Sequence, residues 1–465
     1  MWIFWYILAL LLTVLTWYLL LRLCSKHSQH YFYMIEYGIY SFLIGVIVIP
    51  FVLFIFSWIG LPLSLIWMLI LVVWLNIILV VLNIVRKTTL HFASSDIQQQ
   101  FVAFPARLKI WSLLFAVRLL VKLIFGFVDI TNVPTYQDDT FGNRNYRAKV
   151  FYERENLVLD SQDKDYLWQG YKQYPLTPSL YKTYVMKITG YRHEWLVNLP
   201  SFLFYISALL LVFFWLLRIT KKLTWAWLWV LLLSWIPLYY IHWTNPYFDV
   251  FQSVYFFAAL SMLYWFLKNK LSVIFPILFV WMLWYTKSEW LIIFMISALV
   301  TYLLRHFVRN KRSFSKESLR SFWLIIWWAL LINLPFIIFK LTHGLWFGNG
   351  EANVTQTALS LHTEIFYPLY IALFKWWCYN LLFSSFVVAL FYVLYKKRLN
   401  MSSSLLFLLW FLISFAAIIF IYLTTFTFQY VVDQTGINRS MIQIIPVLVF
   451  VLVLLVRDGY ETEVQ

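Results

Sequence analysis

Apolar runs of about twenty residues return along almost the whole of this chain, and that recurrence limits its fold more than any motif does. A helix rises 1.5 Å per residue, so about 20 residues cross the ~30 Å hydrocarbon core of a bilayer. Thirteen spans are predicted, at 2–22, 37–58, 61–85, 110–131, 196–217, 223–242, 249–267, 271–286, 290–304, 321–340, 366–395, 404–424 and 441–456. The second and third form a hairpin turned at Gly60 and Pro62. The run at 366–395 is too long for one straight crossing, and its first part, 367–374, is expected in the interface. Apolar residues make up 63% of the chain and charged ones 12%, against about 45–50% and about 25% in soluble domains. A soluble enzyme, a nucleic-acid binder and a disordered scaffold are excluded. The expected class is an all-α integral membrane protein of about 13 transmembrane helices.

The basic residues predict the orientation. Arg22, Lys26, Arg86, Arg218, Lys268, Arg305, Lys396 and Arg457 fall in one alternating set of short connections, which is then cytoplasmic. The N-terminus is expected outside and the C-terminus inside. Most of the 20 acidic residues fall on the outer side, a bias that insertion does not require. Residues 132–195 form the longest outer segment, far beyond a usual connection, and hold much of that acid. The chain thus divides into a four-helix membrane region over 1–131, a large outer loop with amphipathic helices over 132–195, and a nine-helix membrane region over 196–465.

Five constellations on the expected outer side can carry chemistry. In QDDTFGNRNYRAKVFYE, Asp138 and Asp139 precede an amphipathic stretch that brings Arg147 onto the face of Asp139, with Arg144 and Lys149 near. A carboxylate beside the bilayer can take a proton from a hydroxyl while cations hold a phosphate. The plainer reading makes either aspartate a helix cap. In HWTNPYFDVFQ, Asp249 opens a span, where a carboxylate faces a cavity or a partner, or else caps the helix; His242 stands just before it. In WYTKSEWLI, Lys287 breaks the positive-inside trend, and either meets an anion or pairs with Glu289. In QTGINRSMIQIIP, Arg439 heads the last span, as a phosphate ligand or an interfacial anchor. YKQYPLTPSLYKTYVMK reads as a turn into a second amphipathic helix, a scaffold element. No zinc spacing, glycine-rich phosphate loop or Ser/His/Asp arrangement is present, and Cys24 and Cys378 fall on opposite faces, which excludes a disulfide framework.

Together these stretches resemble the bacterial GT-C-type membrane glycosyltransferases, the superfamily of the protein O-mannosyltransferases and the lipid A aminoarabinose transferases. DDTFGNRNYRAK stands for the family's Trp-Asp-x-aromatic-x-Asn stretch ending Lys-Ala-Lys, which puts Asp139 at its first-loop aspartate. YPLTPSL, NPYFD, TKSEW and NRSMIQIIP stand, in the same order, for its Tyr-Pro-Leu-Leu-x-Pro, Gly-Tyr-Ala-Asp, Thr-Lys-Asn-Glu-Gly and Asp-Arg motifs. Glu36 opens the second span as an acidic residue does in many relatives. Gln137 and Asp138 replace the tryptophan before the aspartate, and Trp290 replaces a glycine.

The resemblance implies transfer of a sugar from a polyprenyl-phosphate donor to a glycan, lipid or protein acceptor on the outer face of the cell membrane, with inversion. Asp139 or Asp138 is expected as general base, Asp249 orienting hydroxyls, and Lys287, Arg439 and Arg147 on the leaving phosphate, with Glu289 and His242 in the binding set. No cofactor is required, although two of Asp138, Asp139 and Asp249 together would allow a divalent cation. A transporter or flippase of lipid-linked saccharides, or a non-catalytic subunit of an envelope-synthesis complex, are the competing readings. Tryptophan, at 26, outnumbers glycine, at 12, an inversion of their usual abundance. One expectation is that some tryptophans, foremost Trp290, Trp243 and Trp346, are natively glycines decoded from a reassigned stop codon.

Overall fold

The computed structural model describes residues 2–24, 33–86, 106–135, 144–158, 175–190, 193–268, 270–287, 291–300, 316–345, 360–375, 377–396 and 404–461. Of the described residues 88% are helical, and no strand occurs among them. The helices of eight residues or more are α1 Trp2–Cys24, α2 Met34–Trp58, α3 Leu65–Val85, α4 Ala106–Asn132, α5 Tyr146–Arg154, α6 Thr177–Thr189, α7 Glu194–Thr220, α8 Leu223–Trp235, α9 Pro237–Thr244, α10 Phe248–Leu267, α11 Ile274–Thr286, α12 Leu291–Val300, α13 Lys316–Thr342, α14 Leu382–Tyr395, α15 Ser404–Thr424 and α16 Thr435–Glu461.

Eight of these (α1, α2, α3, α7, α10, α13, α15 and α16) are long and apolar enough to cross a membrane, and α8 with α9 makes a ninth if that bent pair is one span. The chain is an all-α multi-pass membrane protein. The shorter apolar helices α11, α12 and α14 fall below that length, and α4 carries Arg118 and Lys122 along it.

Two expected spans are broken. At 223–242 the helix bends by 68° between Trp235 and Pro237, where proline removes a backbone donor and its ring clashes with the preceding turn. At 366–395 a short α-helix over Phe366–Tyr370 passes into a π-turn over Ile371–Lys375 and a 3-10 turn over Trp377–Tyr379 before α14 begins. The α2–α3 hairpin turns as expected at Gly60, whose φ of +87° suits a residue without a side chain.

α10 and α16 are the axis of the bundle, each 83% buried along its most apolar stretch. α16 packs against α8, α10, α14 and α15. α3 and α4 lie at the outside, and α4 exposes Trp111, Leu113, Leu120 and Phe125. With lipid outside as apolar as the core, such helices associate through close packing and polar contacts. Trp215 donates to the Tyr40 hydroxyl at 2.8 Å, Tyr255 to the Leu43 carbonyl at 2.7 Å, and Asn76 to the Thr16 hydroxyl at 2.8 Å. Trp243, wholly buried, stacks on Tyr205 and lies over Gly126 of α4, where a Cβ would come within 1.8 Å of its indole. Trp290 and Trp346 lie outside the described residues.

α5 and α6, from the segment expected as the large loop, are packed in. α6 is buried on nearly every side against α1, α2, α5 and α7. It begins at Thr177–Pro178, a start that suits proline because the first turn needs no donor.

Candidate functional site

Helix ends assemble the site. α10 opens with Asp249 in its first turn, and its N-cap, Tyr247, makes no side-chain cap. The capping alternative for Asp249 therefore fails, because both carboxylate oxygens are engaged across the bundle. Oδ2 accepts from Arg439 Nε at 3.0 Å and Oδ1 from Gln443 Nε2 at 2.7 Å. Arg439 and Gln443 stand four residues apart on α16 and so share a face, which presents a two-point grip to one carboxylate. The Arg439 guanidinium also lies 5.0 Å over the Tyr247 ring. His242, at the end of α9, stacks on Tyr247 and holds Nδ1 3.8 Å from Asp249 Oδ2.

α11 ends at Thr286, and Lys287 follows into the same pocket. Thr286 donates to Gln252 on α10 at 2.7 Å, which fixes the exit of that helix. Arg144 and Arg147, entering α5, complete the wall, with Pro178, Ser179 and Phe248. Among the described residues that line this pocket, four cations face one carboxylate, Asp249. Asp249, Arg144 and Arg147 are all buried, so their interactions are screened far less than at a free surface. The enclosed space is about 20 Å³, room for one water molecule or one phosphoryl oxygen.

Behind this wall a polar chain ties α5, α6 and α7 together. Lys182 Nζ donates to Asn145 Oδ1 and, at 3.1 Å, to Asn198 Oδ1. Asn198 donates to the Thr135 hydroxyl at 2.9 Å, and Asn145 to Glu194 at 3.2 Å. Burial pushes the Lys182 ammonium down to about 7, Arg144 adds to that shift, and Glu194 opposes it.

Of the expected site residues, Asp249, Lys287, Arg439, Arg147 and His242 meet at one end of the bundle. Asp138, Asp139 and Glu289 lie outside the described residues. The sequence reading missed Gln443, Lys182 and Asn198. The signal for Gln443 was its four-residue step from Arg439; for Lys182 and Asn198 it was a polar residue in an otherwise buried helix. Among the described residues, no group of three or more His, Cys, Asp or Glu gathers as metal ligands do. At the other end of the bundle, Arg218 of α7 bonds the buried Glu36 of α2, so Glu36 takes no part in the Asp249 site.

Comparison with protein-family models, with curated proteins and with solved structures finds no match to this chain. The site therefore rests on its own geometry. It gathers two buried guanidinium groups, Arg144 and Arg147, and two half-buried cations, Lys287 and Arg439, around Asp249.

Proposed function

We propose that the protein is a GT-C-like membrane glycosyltransferase that moves a sugar from a polyprenyl-phosphate donor to a cell-envelope acceptor with inversion. In this reading the chain crosses the membrane thirteen times, with the N-terminus and the Asp249 site on the outer face of the cell membrane. The observation that carries this reading is the convergence of Arg144, Arg147, Lys287 and Arg439 around Asp249 where several helices end.

The acceptor oxygen attacks the anomeric carbon from the side opposite the phosphate, and Asp139, with Asp138 beside it, takes the hydroxyl proton. The bond from that carbon to the phosphate oxygen breaks with its electron pair, leaving polyprenyl phosphate with one more negative charge. Lys287, Arg439, Arg147 and Arg144 stabilise that charge, because they are oriented before it develops. Asp249 holds Arg439 in place and keeps lone pairs for a sugar or acceptor hydroxyl. Glu289 and His242 complete the binding set.

A cleft of about 930 Å³ between α8, α14 and α16 offers room for the donor's tail. Its wall includes Tyr379, whose hydroxyl donates at 2.7 Å to the carbonyl of Asn438, the neighbour of Arg439. That contact links one wall residue of the groove to the helix turn that carries Arg439.

The test compares envelope glycans and polyprenyl-linked sugars by mass spectrometry in three strains: a deletion, the deletion with the native protein, and the deletion with an Asp138→Asn, Asp139→Asn protein. The expected result is one sugar mass lost in the deletion, restored by the native protein and not by the double variant. Full restoration by the double variant removes the aspartates from catalysis and favours a transporter or a scaffold subunit.

A further inference from the structure

A second cleft, of about 720 Å³, runs between α4 and α8 and adjoins the 930 Å³ cleft, with which it shares Leu228, Trp235 and Tyr460. Its mouth lies at the end of the bundle opposite Asp249. There Lys222, Ser112 and Thr224 stand among Trp111, Trp225 and Tyr460, with Lys109 one turn before Ser112 on α4. Hydroxyls, an ammonium and amphipathic rings at one level are what a membrane helix presents to the headgroup region. The interior is apolar, walled by Phe115, Trp227 and Leu231. Arg118 closes the deep end, its guanidinium 3.9 Å over the Trp235 ring.

The cleft follows α8 from Lys222 to Trp235, thirteen steps and so about 20 Å. That is one leaflet with its headgroup layer, not a whole bilayer. A transmembrane helix fits poorly, since a cylinder about 10 Å wide and about 30 Å long occupies about 2,400 Å³. Arg118 would also stand in its path at mid-depth. Among the described lining residues are two cations and no carboxylate. We propose that this cleft binds one anionic phospholipid of that leaflet, its phosphate at Lys222 between the Ser112 and Thr224 hydroxyls and an acyl chain along Phe115, Trp227 and Leu231. Basic pockets between membrane helices hold acidic headgroups by the same chemistry. The site shares no residue with the Asp249 pocket, and although Leu228, Trp235 and Tyr460 also line the 930 Å³ cleft, its test reads phospholipid binding and not sugar transfer.

The test titrates the full-length protein, in neutral detergent, with phosphatidylglycerol, phosphatidylcholine or inorganic phosphate, reading bound lipid by native mass spectrometry and stability by thermal unfolding. One phosphatidylglycerol is expected to bind in preference to phosphatidylcholine and to raise the unfolding temperature. Lys222→Gln, at an exposed position, should weaken phosphatidylglycerol about fivefold, the worth of one basic side chain near an anionic surface. Lys222→Arg should keep the preference, and Leu231→Trp, which fills the cleft, should weaken both lipids. Equal binding of the two lipids, an unchanged Lys222→Gln protein, or full stabilisation by inorganic phosphate alone would each overturn the proposal.

Discussion

Replacing Asp249 by alanine removes the acceptor of two hydrogen bonds, to Arg439 at 3.0 Å and to Gln443 at 2.7 Å. Hydrogen bonds to a charged group contribute about 1.5–3 kcal/mol each, so the gross loss is about 3–6 kcal/mol. Two effects reduce it. The variant no longer desolvates a carboxylate. The Arg439 side chain, 32% exposed, can also recover water when its partner goes. The net expectation is about 3 kcal/mol for Asp249→Ala, and a similar figure for Arg439→Ala, which leaves the carboxylate buried with fewer partners. Because each change destroys the same contact, the double variant should cost about 2 kcal/mol less than the sum of the two. Equilibrium unfolding of the three variants in mixed detergent micelles measures that coupling. A coupling below about 0.5 kcal/mol, the scatter of independent sites, would refute the view that Asp249 holds Arg439.

Other positions yield sharp expectations. Lys182 titrates near 7 in the fold against an ordinary 10.5, so between those values the unfolded chain holds a proton that the folded chain has released. Stability should therefore rise with pH across that window, with the burial penalty fully present below it; Lys182→Met should flatten the rise, and equal unfolding free energies of the native protein in denaturation series at about pH 7.5 and about 9.5 would contradict it. Gly126→Ala drives a methyl into Trp243 and should destabilise by about 1–3 kcal/mol, while Trp243→Gly empties that site at a cost of about 3–5 kcal/mol, both read by thermal unfolding. Peptide mass spectrometry of the native protein at position 243 tests the reassigned codon: glycine there would establish it, and tryptophan would end it for that position.

The membrane architecture was legible because the bilayer imposes one length on every crossing, and α2, α7, α10 and α15 lie where hydropathy expects them. Breaks inside a span were harder to read. Pro237 was visible, but a proline in an apolar run is compatible with a straight helix when neighbours satisfy the freed groups, and hydropathy alone does not tell a bend from a span. The site was legible in its charges: Asp249, Lys287 and Arg439 stand at the ends of apolar helices, where a charge calls for a partner. Which partner was not legible. Asp249 and Gln443 are 194 residues apart, and only packing of α10 on α16 joins them. Lys182 was hidden for another reason. Its helix reads as amphipathic, yet the chain buries both faces, so a lysine expected at a surface becomes the hub of a buried polar chain.

The proposed function requires Arg439 and Lys287 to grip the phosphate of a polyprenyl lipid. The most direct measurement is the affinity of the purified full-length protein for polyprenyl phosphate beside uncharged polyprenol, for the native chain, Arg439→Gln and Lys287→Gln. Each substitution should weaken polyprenyl phosphate by about tenfold or more, as the loss of one charged hydrogen bond does, and leave polyprenol unchanged. Equal affinities of all three proteins for the phosphate would contradict it.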